Sequence, residues 1–417
     1  MKVATQRVYI TPKDQFLPCY VTGNAFRDKP TNKIHDELEC KVLVIQIESD
    51  TLIWASFDLI FVDLELSTKI RLALSEKYHV PFENITIGAT HTHTGPEISE
   101  HNTFGMDEVK AVPGYREFLF NQCVKAVDSC YEKGFVEVKP YIQKLEIDGV
   151  YGNRNGKDKM ADKSVTLLKF KDEQGNIMAG CVNLSCHATV NDPYSTEITG
   201  DIFGYIGRGI EERWGVSPLM MQGASGDMGN RQYRQDSSIA EVERVANAIL
   251  KQIDDTTAPE EEVNFNQVKV DIYQYYDEFD KDEATINEMK LDIAADEKEL
   301  KRETNPDQRR LLVCGLAFMR QQVNETHVKN EFTCSIIRLG DLEICQIPAE
   351  LFSCFGLQIK AASKAKYSFI WGYANDDAGY LVEEDEYDKC YEGRSTNFRR
   401  GEPERLTAAL VQLMGGD

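Results

Sequence analysis

The sequence predicts an α/β fold: a single domain on a mixed β-sheet core with surrounding helices. Short runs of apolar and β-branched residues, such as 41–48 and 177–184, are typical of buried strands. Other segments, such as 64–78, carry apolar residues at the spacing of an amphipathic helix. Strands and helices alternate without a regular β-α-β period, which favours a mixed sheet over a purely parallel one. Residues 1–417 are therefore expected to form one domain.

Each further element follows from its local pattern. The predicted strands cover 41–48, 52–58, 84–87, 136–147, 165–171, 177–184, 219–222, 333–339, 342–347 and 368–373. The predicted helices cover 64–78, 115–132, 201–214, 238–253, 351–362 and 406–414. Turn-forming residues separate many of these segments, as at 172–176 between two strands.

Residues 280–324 differ in composition from the rest of the chain. They are rich in Glu, Lys, Asp, Leu and Arg, and Asn305-Pro306-Asp307 interrupts them near the middle. This pattern predicts an antiparallel helical hairpin inserted between two strands. Its charges are expected to face solvent. The alternatives are a lid over a site, or a contact surface through which the chain forms a homo-oligomer.

The chain is strongly acidic, with 69 Asp and Glu residues against 47 Lys and Arg residues and a formal net charge of −22. Such a surface repels phosphate backbones, so nucleic acid is not an expected partner. A small-molecule substrate is expected instead. Even an anionic substrate is compatible with this charge, because a bound metal reverses the sign of the local field in a pocket.

The N-terminal residues 1–7 include no apolar stretch of the kind found in a secretory signal. No run of about 18 apolar residues is present, so we expect no membrane insertion. The eleven cysteines are scattered and include no C-x-x-C pair, which is typical of reduced thiols rather than of a disulfide framework. These features predict a cytoplasmic protein.

Two of the seven histidines, His91 and His93, lie in the segment GATHTHTGPE, directly after a predicted strand. In a strand, residues two apart point to the same side, so both imidazoles could face one pocket. Imidazole is a good ligand for zinc, and the neighbouring threonines could hydrogen-bond the second ring nitrogens. Alone, this spacing is equally compatible with two histidines in a loop.

His187 and Glu350 also follow predicted strands, in VNLSCHATV and QIPAELF. Residues just beyond strand ends meet at one rim of an α/β sheet, so these side chains would supply a nitrogen and an oxygen ligand from distant parts of the chain. The alternatives are a buried, hydrogen-bonded histidine at 187 and a carboxylate at 350 that stabilises a helix N-terminus. The sequence indicates a metal site and leaves these alternatives open.

Six segments, in order along the chain, resemble motifs of the neutral, non-lysosomal ceramidase family. THTHTGP is similar to the family's SHTHSGP motif, and VNLSCHATV to the strand that carries its second zinc histidine. The other four are GNR at 152–154, QGASGDMGN at 222–230, QIPAELF at 346–352, and AGY at 378–380 followed by EYDKCYE at 386–392. Together, these ordered motifs are far more specific than any one of them.

The resemblance implies one zinc ion per chain, held by His91, His187, Glu350 and Tyr380. A tyrosinate ligand is physically reasonable, because a nearby cation lowers the pKa of a phenol. His93 is then expected to form hydrogen bonds in the pocket rather than to bind the metal.

The resemblance also implies roles for residues around the metal. Arg154 and Tyr391 are expected to line the site and to stabilise negative charge on the substrate or in the transition state. The interval between Tyr380 and Tyr391 is one residue shorter than is usual in the family. Asp227 is expected to orient a ligand or to act as a general base, and its alternative role is to stabilise a glycine-rich turn.

Two departures from the family pattern change the expected chemistry. Ceramidases carry their catalytic serine in a Gly-Asp-x-Ser-Pro turn, whereas Gly229 occupies that place here, and Ser225 has no matching role. The family also continues into an immunoglobulin-like domain and is usually secreted or membrane-associated, features that we do not expect for this chain. A serine-dependent step therefore cannot be transferred, and we expect water or hydroxide as the direct nucleophile.

The sequence thus predicts a zinc-dependent hydrolase that cleaves an amide bond, or less readily an ester bond, in a small soluble substrate. The alternative is a metal-bearing binding protein that kept the fold and lost the chemistry with the serine. A third hypothesis, a metal-dependent phosphoesterase, requires a second metal, for which the sequence offers no second set of histidines.

Overall fold

A computed structural model describes residues 1–99 and 109–415 and shows the predicted α/β fold. The strands are β1 Lys2–Tyr9, β2 Glu39–Ile47, β3 Asp50–Phe57, β4 Ile85–Ala89, β5 Val136–Glu137, β6 Lys139–Glu146, β7 Gly152–Asn153, β8 Ser164–Lys171, β9 Ile177–Leu184, β10 Leu219–Gln222, β11 Met228–Gly229, β12 Glu260–Glu262, β13 Phe265–Asp280, β14 His327–Gly340, β15 Leu342–Ile347, β16 Glu350–Leu351, β17 Tyr367–Gly372 and β18 Tyr380–Leu381. The helices are α1 Leu64–Tyr78, α2 Tyr115–Lys133, α3 Asp201–Trp214, α4 Ile239–Asp255, α5 Glu283–Leu300, α6 Pro306–Gln322, α7 Ser353–Ala362, α8 Tyr391–Ser395 and α9 Glu402–Gly415.

Within these described ranges, three sheets of four or five strands form the core. Their strand orders are β4-β3-β2-β1-β5, β10-β9-β8-β6-β12 and β13-β14-β15-β17. Each sheet contains the same local unit, in which an antiparallel hairpin leads through a helix to a strand that pairs in parallel with the second hairpin strand. The three units are β2-β3-α1-β4, β8-β9-α3-β10 and β14-β15-α7-β17. The predicted mixed-sheet architecture is confirmed, with three mixed sheets in place of one.

The parallel pairs determine where the site can form. A helical crossover brings the chain back in the same direction, so both strands of each pair end at the same edge of the sheet. The last paired residues are Phe57 and Ala89, Leu184 and Gln222, and Ile347 and Gly372. The candidate ligands follow these strand ends: His91 follows β4, His187 follows β9 and Glu350 follows β15.

The three sheets pack against one another around a shared apolar core. Trp54 of β3 and Trp371 of β17 meet edge to face with ring centroids 5.8 Å apart, and Phe170 of β8 joins the same cluster. Buried side chains also form hydrogen bonds between sheets: Ser56 donates to the carbonyl of Met220 at 2.6 Å, Gln346 to Thr86 at 2.7 Å, and Asn183 to the carbonyl of Ile370 at 2.8 Å. Helices cover the outer faces, with α1 and α2 on the first sheet, α3 and α4 on the second, and α7 and α9 on the third.

The inserted helical hairpin is confirmed as α5 and α6, which stand between β13 and β14. These two strands are longer than expected, because they remain paired as far as Asp280 and His327, where the hairpin begins and ends. Strands β13 and β1 were not predicted from the sequence. Their sequences, FNQVKVDIYQYYDEFD and KVATQRVY, mix polar with apolar residues and contain no continuous apolar run.

One corrected boundary lies next to a predicted ligand. The helix expected at 351–362 begins at Ser353, so Glu350 precedes it by three residues. Glu350 instead lies in β16, which pairs in parallel with β18 and places Glu350 opposite Tyr380. Two of the predicted metal ligands are therefore neighbours across a short two-stranded sheet.

In the described part of the chain, no helix has the length and apolar character needed to cross a membrane. All eleven cysteines are buried free thiols, as expected from the lack of a disulfide pattern in the sequence. The cytoplasmic location stays a prediction.

The packing of the sheets can be tested at a close contact between β17 and the turn after β10. A Cβ atom added to Gly372 would lie 2.7 Å from the carbonyl oxygen of Gly223, a backbone atom that cannot rotate away. Gly372→Ala is therefore expected to lower the free energy of unfolding by about 1–3 kcal/mol, the usual cost of overpacking. Urea denaturation measures the change. Gly315→Ala is the control, because its Cβ would meet only Tyr391, at 3.8 Å. Unchanged stability of Gly372→Ala would contradict this contact.

Candidate metal centre and active site

Most of the side chains selected from the sequence line one cavity, whose volume is about 800 Å³ including its opening to solvent. The selected residues on its wall are His91, His93, Arg154, Glu350, Tyr380 and Tyr391. His187 is fully buried and lies against this group, with its Nε2 atom 3.1 Å from a carboxylate oxygen of Glu350. The structure thus brings together all the selected residues except Asp227.

The two histidines of the THTHTGP segment converge, but the predicted reason, alternation along a strand, is wrong. β4 ends at Ala89, and His91 adopts the left-handed backbone conformation with a φ of 61°. Residues other than glycine rarely adopt this conformation, and such strain is typical of functional sites. Thr92 then forms an isolated bridge with Ala188, the residue after His187. A turn held against the second sheet therefore directs both imidazoles inward.

Each of the three imidazoles is oriented by a backbone carbonyl. The Nδ1 atoms of His91, His93 and His187 lie 2.8, 2.7 and 2.8 Å from the carbonyl oxygens of Ile60, Gly23 and Ser225. A carbonyl oxygen only accepts, so each Nδ1 carries the hydrogen and each neutral ring presents its Nε2 lone pair. Such contacts fix the ring orientation in metal sites. They take the place of the predicted contacts from the threonine hydroxyls, which bond elsewhere.

The Nε2 atoms converge on one point. That of His91 lies 3.1 Å from that of His93 and 3.2 Å from that of His187. A carboxylate oxygen of Glu350 is 3.1 Å from the His187 atom and 3.5 Å from the His91 atom. Ligands bound at about 2.0–2.1 Å to a tetrahedral zinc ion are about 3.3 Å apart, so these spacings fit such an ion. Imidazole nitrogen and carboxylate oxygen are also donors that zinc and similar cations bind.

The electrostatics of the pocket agree with this geometry. Burial, together with the positive charge of Arg154, lowers the pKa of His187 to about 3. Burial and the neighbouring imidazoles hold the pKa of His93 well below its ordinary value. Burial raises the pKa of Glu350, but the adjacent imidazoles outweigh this effect and hold it well below its ordinary value. At neutral pH, His93 and His187 therefore present lone pairs and Glu350 presents a carboxylate, which a cation stabilises.

Arg154 connects the remaining predicted residues. Its Nη2 donates to the hydroxyl of Tyr380 at 3.1 Å, and its Nε forms an ion pair with Glu392 at 2.6 Å. Burial and the charge of Glu350 raise the pKa of Tyr380 well above its ordinary value, and the guanidinium of Arg154 opposes this effect. The ring of Tyr391 meets that of Tyr380 edge to face, with centroids 6.1 Å apart. The roles of these three residues in catalysis or metal binding stay predictions.

Comparison with solved structures identifies the fold. Neutral ceramidase from Pseudomonas aeruginosa matches with a TM-score of 0.73 and 16% sequence identity, over 99% of this chain and 74% of that chain. The chain has a neutral ceramidase fold. A structure of a ceramidase complexed with C2 gives a TM-score of 0.72, with 16% identity and the same coverage of 99% and 74%. No protein-family model and no curated protein matches the chain significantly. The ceramidase-like fold that the ordered motifs predicted is thus confirmed.

Within this ceramidase-like fold, Asp227 holds elements together rather than lining the cavity. Its carboxylate accepts hydrogen bonds from the backbone N–H of Ser353 at 2.7 Å, from the hydroxyl of Ser353 at 2.9 Å and from the side-chain amide of Asn153 at 2.6 Å. Its carbonyl accepts the backbone N–H of Arg154 at 2.7 Å. Asp227 therefore ties the start of α7 to the segment that carries Arg154. These contacts favour the turn-stabilising alternative, and the general-base role stays a prediction.

Gly229, which the motif resemblance places at the position of the family's serine, lies beside the candidate site. It belongs to β11, in which it is paired with Gly152 of β7. A Cβ atom at Gly229 would meet side-chain atoms of Arg154 and His187 at 3.7–3.8 Å, an ordinary contact distance. The position therefore has room for a small side chain that this sequence does not supply.

Tyr373 also contacts the site, although it was not among the residues selected from the sequence. Its ring stacks on His91 with centroids 4.0 Å apart, and its hydroxyl lies 2.9 Å from the hydroxyl of Ser225 and 3.5 Å from a carboxylate oxygen of Glu350. A signal was present, because Tyr373 directly follows β17 just as the histidines follow their strands. Ser225, which matched no family role, thus contacts the site through Tyr373 and orients His187 through its carbonyl.

The contacts of Asp227 predict a structural cost for its removal. Asp227→Ala would leave the Asn153 amide and both Ser353 donors without their acceptor, and a buried unsatisfied donor costs about 1–3 kcal/mol. The expected loss in the free energy of unfolding is at least about 2 kcal/mol, measured by urea denaturation. Asp236 lies in the same connection, between β10 and α4, but its side chain is exposed. Asp236→Ala should therefore lower the free energy of unfolding by less than about 1 kcal/mol. Equal losses in the two variants would argue against this role of Asp227.

Proposed function

We propose that this protein is a zinc-dependent hydrolase that cleaves an amide bond, or less readily an ester bond, in a small soluble substrate. The observation that carries the proposal is the convergence of three imidazole Nε2 atoms and a carboxylate oxygen beside a cavity, at the spacing of ligands around a tetrahedral ion. The motifs resemble those of a family that cleaves amides, and solved ceramidases share the fold. Both support an amide as the target.

In this proposal one metal ion per chain is held by His91, His187 and Glu350. Bound there, zinc supplies a Lewis acid for the substrate carbonyl and for water. His93 meets the same geometric criterion, because its Nε2 atom is 3.1 Å from that of His91. We therefore propose His93 as the alternative to Tyr380 for the fourth ligand, whereas the family resemblance implies only a hydrogen-bonding role for His93. Tyr380 stays a proposed ligand, with its oxygen oriented by Arg154.

The chain's own residues would bind the substrate and stabilise charge. Arg154 and Tyr391 line the cavity beside the metal centre, where they could hold the carbonyl group. Arg154 is already fixed by Glu392 and Tyr380, so it can stabilise developing negative charge without reorganising. With no hydroxyl at Gly229, water is the proposed nucleophile.

The alternatives are a binding protein that has lost its chemistry, and a phosphoesterase. A structural metal site is closed by protein ligands, whereas a catalytic site keeps a position for substrate. The cavity beside His91 and Glu350 favours the second, because zinc can expand from four to five ligands during a reaction. A two-metal phosphoesterase is disfavoured, because the described ranges contain one group of metal-spaced ligands, formed by His91, His93 and His187.

Self-association through the 280–324 hairpin and a cytoplasmic location are also proposals. In support of self-association, α5 presents an apolar side chain to solvent, since Leu291 is 71% exposed. An interface on this helix would cover that side chain.

Metal content is the first test. Purified wild-type protein should contain about one zinc ion per chain by elemental mass spectrometry, and His187→Ala and Glu350→Ala should each contain almost none. His327→Ala is the matched control, because His327 is an exposed histidine on β14 that pairs with Asp280. Full zinc occupancy in both ligand variants would overturn the proposed site.

A chelator competition separates the two versions of the ligand set. If His93 is a ligand, His93→Ala should weaken zinc binding by more than about 100-fold, whereas the loss of a hydrogen-bonding partner alone costs about 10–100-fold. Tyr380→Phe tests in the same way whether the phenol oxygen of Tyr380 is a ligand.

Amide hydrolysis is the second test. Zinc-loaded wild type should release ethanolamine from N-octanoylethanolamine, and His187→Ala should release none above background. Gly229→Ser, which the contact distances accommodate, distinguishes the two main hypotheses. Activity in the wild type supports water as the nucleophile. Activity restricted to Gly229→Ser would show that the chemistry was lost with the serine and would favour the binding protein.

A further inference from the structure

The helical hairpin forms part of the wall of the metal cavity. Arg310, Leu311, Cys314 and Phe318, all from α6, line the cavity together with His91 and His93. Of the alternatives for the hairpin, this contact favours a lid over a site. The insertion therefore helps to determine what the cavity can bind.

The cavity wall is rich in arginine, although the chain has a net charge of −22. The charged residues that line it are Arg27, Arg154, Arg231, Arg310, Asp201, Glu350 and Asp377. Glu350 belongs to the metal centre, and the Asp201 carboxylate accepts three backbone N–H groups. Burial and the charge of Glu350 raise the pKa of Asp377, which disfavours its negative form. The four guanidinium groups of the wall outnumber its three carboxylates.

Two of these guanidinium groups already have partners. Arg27 donates to backbone carbonyls, among them that of Thr22 at 2.9 Å and that of Pro193 at 3.1 Å. Arg154 is held by Glu392 and Tyr380. Arg27 is therefore not available to a ligand without breaking these contacts, and Arg154 is assigned to the scissile carbonyl in the proposed function. Arg310 also takes part in an interaction.

Arg231 differs from both. Within residues 1–99 and 109–415, its guanidinium makes no hydrogen bond or ion pair. The carboxylate that attracts it, Glu392, is already engaged by Arg154 at 2.6 Å and by Asn155 at 3.0 Å. Burial, together with the charges of Arg154 and Arg310, lowers the pKa of Arg231 to about 10. The guanidinium of Arg231 therefore lies close to other positive charges, and a bound anion would stabilise it.

We infer that the cavity takes a substrate whose far end carries an anionic group, such as a carboxylate, that pairs with Arg231. This inference rests on the proposed function for the position of the scissile amide at the metal centre. A guanidinium binds a carboxylate through two parallel hydrogen bonds, which gives orientation as well as affinity. A neutral N-acyl substrate would leave Arg231 partly buried and without a partner.

The shape of the cavity agrees with this assignment. Arg231 and Arg154 both line the metal cavity, and together with Tyr391 and Leu311 they also line a second cavity under the hairpin. A substrate whose carbonyl lies at Arg154 can therefore extend its anionic end to Arg231. The second cavity adds Gln232 and Gln308 as polar groups on its wall.

Binding of a substrate analogue tests the inference independently of catalysis. The probe is 4-oxoundecanoate, in which a methylene replaces the amide N–H of N-octanoylglycine and prevents hydrolysis, and its methyl ester is the neutral control. Calorimetry on the zinc-loaded protein should give a dissociation constant at least about tenfold lower for the acid than for the ester, as expected for a charge-assisted pair. Arg231→Gln should remove most of this difference, and Arg231→Lys should restore part of it. Arg302→Gln, an exposed arginine at the end of α5, should leave it unchanged.

The outcomes separate this inference from the proposed function. Equal binding of acid and ester by the wild type, or a preference that Arg231→Gln leaves intact, would overturn the anion site even if amides are cleaved. A preference that depends on Arg231 would support the site even if N-octanoylglycine and N-octanoylethanolamine are both left uncleaved. If both are cleaved, the ratio of their kcat/KM values should fall at least about tenfold in Arg231→Gln.

Discussion

Three imidazole rings meet in this protein with their Nε2 atoms directed at one point, and the pairs around His91 are only 3.1 and 3.2 Å apart. Each ring donates its Nδ1 hydrogen to a backbone carbonyl, so neutral rings have no further hydrogen to donate to one another. Buried acceptors that face each other without a donor are unfavourable. A cation at the centre removes this cost, and the local backbone, including the left-handed conformation of His91, is arranged around that point.

The fold supplies this arrangement by using one local unit three times. The first hairpin–helix–strand unit carries His91 and His93, the second carries His187, and the third leads to Glu350. Because each unit ends in a parallel pair, all the ligands emerge from carboxyl ends of strands, where α/β folds build their sites. The sheets approach so closely that a Cβ atom at Gly88 would lie 2.5 Å from the indole nitrogen of Trp371. The shared core therefore determines the geometry of the candidate site, since a shift of any one sheet would displace one of its proposed ligands.

Acidic residues dominate the surface of the protein, whereas arginines dominate the wall of the cavity. The acidic residues that dominate the composition pair with lysines and arginines across the surface, as Glu39 and Glu211 do with Arg7. Around the cavity the balance is reversed, and the inserted hairpin contributes to this reversal through Arg310. An acidic surface and a cationic cavity are compatible, because screening confines surface charges to about 8–10 Å whereas buried groups are screened much less.

The sequence by itself determined most of the helices and buried strands, the inserted hairpin and the residues that would meet at the strand ends. These features depend on local periodicity and on short ordered motifs, which a chain carries before it folds. The sequence did not reveal β1 or β13, whose mixed polar and apolar pattern becomes a strand only through pairing with a neighbour. Tertiary structure alone decided that His93 joins the other imidazoles, that Asp227 faces away from the cavity and that Arg231 lacks a partner. Each of these depends on atoms contributed by distant segments, such as the carbonyl of Gly23 or the hydroxyl of Ser353, and no local pattern encodes such distances.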